Sequence, residues 1–126
     1  VLHRDDENVV IATEIESRIA RLEQELRWAG EKADALPSAA FWSLLPGSGA
    51  SRVSRLLVLR VTRATRNLAA EYGRILAAAY PARSADAYDA LFAGKAWPGP
   101  AILWADVTNG TVRIRRVPPR GVTVGR

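Results

Sequence analysis

Asn109-Gly110 stands between two runs of alternating residues, 102–108 and 111–117, and leaves that part of the chain little choice of structure. Asparagine followed by glycine suits the positive φ angles of a type I′ turn, whose twist matches that of a β-hairpin. With this dipeptide at the turn, Thr108 faces Thr111, Asp106 faces Arg113, Trp104 faces Arg115 and Ile102 faces Val117. One face then carries a charge pair and a cation–π contact, while Leu103, Ala105, Val107, Val112 and Ile114 make the other face apolar. Pro118 and Pro119 end the ladder, which leaves Gly121 to Arg126 as a further edge strand or a loose tail.

Ahead of the hairpin the apolar period looks helical. Between 9 and 36, Ala12, Ile15, Ile19, Leu22, Leu26, Ala29, Ala33 and Leu36 follow one another in steps of three and four, a heptad seam. Glu14 with Arg18 and Glu23 with Arg27 add favourable pairs on the flank of such a helix. Pro37 restricts Leu36 and ends it. Residues 38–45, with Phe41, Trp42 and Leu45, read as one or two helical turns that cap the core. Ser51 then serves as N-cap for a second long helix to Tyr80, stopped by Pro81. On a helical wheel Val53, Leu57, Val61, Ala64, Leu68, Tyr72, Ile75 and Ala79 share the inner arc, and Arg52, Arg55, Arg63, Arg66 and Arg74 the opposite one. Ser84 opens a short third helix to about Ala93, with Gly94 as its stop.

The fold class expected is therefore mainly α with a β-hairpin, in α+β form. It consists of an antiparallel, coiled-coil-like pair of long helices over 9–80, a short helix over 84–93, a hairpin over 101–117 and a tail over 118–126. At 126 residues the chain has the length of a single domain. Its start at Val1 and its lack of methionine suggest a piece of a longer polypeptide.

Chemistry is restricted by what is missing. There is no cysteine, and the one histidine is His3, so thiolate nucleophiles, disulfides, histidine metal sites and Ser-His-Asp arrangements lack their central part. No catalytic, cofactor-binding or metal-ligating residue is expected, and the chain reads as a non-enzyme. Glu14, Glu16, Glu23 and Glu25 look like the solvated flank of the seam, and Asp86 and Asp89 like acids placed in the first turns of a helix. Residues 46–51 present glycines ahead of a helix, yet lack the lysine and spacing of a nucleotide-binding loop. Acidic residues sit where a secretion signal would need an apolar core, and 35–51 is broken by Pro37 and Pro46, so no membrane partner and a cytoplasmic location are expected.

Charge gives the remaining clue. The chain carries a net +5, and its basic residues are arginine except for Lys32 and Lys95. Residues 1–36 hold nine acids against five bases, while 37–126 hold thirteen bases against four acids. Arg52, Arg55, Arg63, Arg66 and Arg74, joined by Arg113, Arg115 and Arg116, form the expected basic surface for DNA phosphates or an acidic protein partner. Leu56 and Leu59 fall among these arginines and read as a homodimer interface. The function expected is a dimerisation or assembly domain of a nucleic-acid-associated protein of transcription regulation, with sequence-independent phosphate contacts. The alternative is a protein-interaction or scaffold module with no nucleic-acid role.

Overall fold

The computed structural model describes residues 2–4, 9–19, 21–35 and 52–126. In chain order the elements are β1 (Leu2–Arg4), β2 (Val9–Glu16), α1 (Leu22–Ala35), β3 (Arg52–Arg60), α2 (Arg63–Glu71), α3 (Gly73–Ala79), α4 (Ser84–Phe92), β4 (Ala101–Thr108) and β5 (Thr111–Arg115). The strands form one mixed sheet in the order β1-β2-β3-β4-β5. The outer pairs β1–β2 and β4–β5 are antiparallel, and the inner pairs β2–β3 and β3–β4 are parallel.

This corrects the expected architecture: the described residues form no pair of long helices and no coiled coil. The stretch 9–36 divides into a strand and a helix, because Val9, Val10 and Ile11 are consecutive β-branched residues that bury both faces of a strand. Only the later part of the seam lies on a helix, where Leu22, Ala29 and Ala33 are buried. The stretch 51–80 divides further, into β3, α2 and α3. Leu56, Leu57, Val58 and Leu59 form a continuous apolar run buried on both sides, the pattern of a central parallel strand. Thr62 then opens α2 through a capping box in which its side chain accepts from the Thr65 amide and Thr65 accepts from the Thr62 amide. The short helical stretch expected over 38–45, the glycine loop of 46–51 and the Ser51 cap lie outside the described residues.

Alternation along the strands sends side chains to two cores. On one face Leu57, Leu59, Ile102 and Trp104 pack against Leu22 of α1, Ala69 of α2 and Leu76 of α3. On the other, Val9, Ile11, Leu56, Val58, Leu103 and Ala105 pack against Ala87 and Leu91 of α4. So, among the described residues, three helices cover the first face and one covers the second.

The turn and register between β4 and β5 and the place of the short helix follow expectation, but the hairpin is not the separate two-stranded unit expected, because β4 also pairs in parallel with β3. The register pairs Thr108 with Thr111, Asp106 with Arg113 and Trp104 with Arg115, and the ladder ends at Arg115, before Val117. Trp104 is wholly buried, and the expected cation–π contact with Arg115 gives way to an Arg115–Asp106 contact at 3.7 Å. The N-cap of α4 is Arg83; Ser84 is its first residue, and its hydroxyl donates instead to the Ile102 carbonyl at 2.7 Å.

The last residues are fastened to the body. Val122 and Val124 are buried, and the Arg126 guanidinium donates to the carbonyls of Val122, Pro118 and Pro119. The Ser84 amide donates to the Gly125 carbonyl at 2.8 Å. Gly125 has φ +85°, and a Cβ there would lie 2.4 Å from the buried Ser84 hydroxyl. Gly125→Ala should thus cost about 2–4 kcal/mol through strain and a displaced hydrogen bond. Gly30→Ala, with open space around the new methyl group in α1, should stabilise by about 0.5–1 kcal/mol. Urea denaturation of the two variants checks both signs, and equal effects would contradict the way the C-terminal segment is docked.

Candidate functional site

The five arginines expected to share one helical face, Arg52, Arg55, Arg63, Arg66 and Arg74, are distributed over three elements, and those expected on the hairpin lie at β5. Arg52 and Arg55 lie on β3, Arg63 and Arg66 on α2, Arg74 on α3, and Arg113 and Arg115 on β5, with Arg116 just beyond it. No described helix presents them as a row, so the geometry gives no support to DNA binding or to a role in transcription regulation.

Several of these arginines are held by the fold itself. Arg55 donates to the Ala79 carbonyl at 3.0 Å and lies over the Tyr80 ring at 5.4 Å, so it ties β3 to the end of α3. Carbonyls at that end have no partner within the helix, which makes a guanidinium a suitable donor. Arg116 makes a bidentate pair with Asp89 at 2.9 and 2.8 Å, and that contact holds the Asp89 carboxyl below its ordinary value. Arg52, Arg63, Arg66, Arg74 and Arg113 are exposed and form no ion pair among the described residues.

Leu56 and Leu59, expected as a dimer interface, are buried in β3 and point to opposite faces. Leu59 belongs to the fully covered core. Leu56 is the floor of a trough of about 370 Å³ on the other face, lined also by Leu2, Thr13, Ile15, Val58, Leu91, Phe92, Leu103 and Ile114. The trough exists because α4 crosses only part of that face. Ile15 is 76% exposed and Phe92 60%, and Val112 on β5 is 61% exposed. Among the described residues, none that lines the trough is charged. Sequence reasoning missed Leu2, Ile15 and Phe92 as surface residues, since it placed Ile15 in a helical seam. The alternation of Val112 and Ile114 was the visible signal, one apolar face carried to the edge of the hairpin.

A second feature lies on the opposite face, at the end of β2. Glu14 and Glu16 project to the same side of the strand and meet Glu25 of α1, with carboxylate oxygens all within 4.8 Å. Lys32, a little under two turns further along α1, pairs with Glu14 at 2.9 Å. These three carboxylates are the described residues that can hold a metal ion. The expected solvated flank is thus a half-buried acidic cluster, and the spacing Glu14-x-Glu16 was its signal once β2 is read as a strand. Another concavity, of about 480 Å³, runs between α1 and the α2–α3 pair and is lined by Arg21, Gln24, Arg27, Leu68, Tyr72 and Ile75.

No protein-family model matches the chain, and no curated protein or solved structure shows a significant similarity to it.

Burial, then the charges of Glu16 and Glu14, push the Glu25 carboxyl above its ordinary value, against a smaller pull from Lys32. The folded protein therefore binds the Glu25 proton more tightly than the unfolded chain. Its contribution to stability is lost as pH rises through the ordinary carboxylate range and then through the raised folded value. Glu25→Gln should melt above the parent at neutral pH, and the gap should close on acidification. Thermal melts across a pH series check this; a gap that does not change with pH would contradict it.

Proposed function

We propose that the chain is a non-enzymatic assembly module that pairs with a second copy of itself across the trough on the α4 side of the sheet. The observation that carries this reading is the conjunction of strong exposure at Ile15 and Phe92 with a lining that holds no charge among the described residues, in a chain of net +5. Large exposed apolar side chains grouped in a concavity mark an interaction site. A two-fold interface brings the same patch together from both copies, so an uncharged patch is the part of a basic surface that can meet itself without repulsion. Covering Ile15 and Phe92 contributes about 1–2 kcal/mol per side chain. This reading takes the cytoplasm as the compartment.

The exposed Arg63, Arg66 and Arg74 lie with α2 and α3 on the other side of the sheet, so a polyanion bound there would leave the trough open. The two uses separate by experiment. Light scattering over a concentration series should report a dimer. Ile15→Ser and Phe92→Ser should each weaken it about tenfold or more while far-UV circular dichroism stays unchanged. A monomer at every concentration, or a dimer indifferent to both substitutions, would overturn the proposal. So would duplex DNA binding with a steep salt dependence that Arg63, Arg66 and Arg74 to glutamine abolishes, if it came without any dimer.

A further inference from the structure

We propose that the β5 edge of the sheet accepts an extended segment of a partner protein in which acidic and apolar residues alternate. Among the described residues, β4 is the one strand hydrogen-bonded to β5. Asn109 has φ 49° and Gly110 φ 77°, the geometry of a type I′ turn. Such a turn makes Thr108 and Thr111 a hydrogen-bonded pair. Alternation along the ladder then makes Val112 and Ile114 the residues whose N–H and C=O groups point outward. An added strand finds two donors and two acceptors there, the backbone requirement for β-augmentation.

Side chains on the two faces decide what that strand must be. Arg113 and Arg115 project to one face, where Arg113 forms no ion pair among the described residues and Arg115 only approaches Asp106 at 3.7 Å. The Asp106 carboxylate is approached by Arg115 and not by Arg113, so acidic side chains on the guest are favoured beside the two guanidinium groups. Val112 and Ile114 project to the other face, where Ile114 adjoins Leu103 and Leu91 at the margin of the trough. Apolar guest side chains extend that surface. A second copy of β5 is rejected, because symmetric antiparallel pairing of Thr111–Arg115 sets Arg113 against Arg113. The edge therefore takes a different partner from the trough, and its occupancy does not depend on self-pairing.

The test uses the intact chain and fluorescein-labelled synthetic heptapeptides read by anisotropy. A peptide alternating glutamate and valine should bind, and Arg113→Glu should weaken it about tenfold or more. A lysine–valine peptide should show the reverse preference, binding Arg113→Glu better than the parent. Methylating the alternate amides of the glutamate peptide should abolish binding, because the backbone donors are removed. Circular dichroism establishes that Arg113→Glu, at an exposed position, remains folded. The proposal is overturned if the glutamate peptide fails to bind, or if a scrambled peptide of the same composition or the methylated peptide binds equally well. Displacement of the peptide by a single-stranded oligonucleotide at equal concentration would instead assign the edge to nucleic acid and overturn it too.

Discussion

Parallel pairing of β3 between β2 and β4 is the contact on which the other elements depend. Leu56, Leu57, Val58 and Leu59 are almost fully removed from water, two on each face. Burying side chains of this size stabilises by about 1.5–3 kcal/mol each, so these four residues matter on the scale of a whole domain's net stability. Because the strand is covered on both sides, α1, α2 and α3 have one surface to pack on and α4 has another. Neither layer has a sheet to cover if β3 is removed.

That arrangement also sorts chemistry by face and by edge. The α1 face carries the acidic cluster of Glu14, Glu16 and Glu25, and nearby the concavity bounded by Arg21 and Arg27. Among the described residues, the α4 face carries a trough without charge, because the nine-residue α4 does not span all five strands. Arginine marks the β5 edge, where the sheet would otherwise be an open template for copies of itself. A charged edge and an apolar face are thus different devices, one selecting a partner by sign and the other by the loss of water.

What could be read from the residues was the local part of the fold. The hairpin was legible because Asn109-Gly110 and the alternation around it specify a turn, a register and two faces within fifteen residues. The short helix α4 was legible because its period and its glycine stop are close together. β2 and β3 were not, because their pairing is between distant parts of the chain. An apolar run such as Leu56–Leu59 reads equally as a buried strand or as part of a buried helix. The spacing of Val53, Leu57 and Val61 happens to match a helical turn, and Thr62, the true start of a helix, lay inside the period already assigned. The site followed the fold: once β3 is a strand, Leu56 and Leu59 point in opposite directions and the arginine row dissolves. The spacing Glu14-x-Glu16 could have been found in the sequence, but only after β2 was recognised as a strand.

The fold and both binding surfaces require 52–60 to be an extended strand inside the sheet. Nuclear magnetic resonance of the labelled chain, recording amide exchange together with short interproton contacts, tests this directly. The structure predicts that the amides of Leu56 to Leu59 exchange only on global unfolding and that β3 shows cross-strand contacts to both Ile15 and Leu103, with helical contacts beginning at Arg63. Unbroken helical i to i+3 contacts from Arg52 through Tyr80, without those cross-strand contacts, would contradict it.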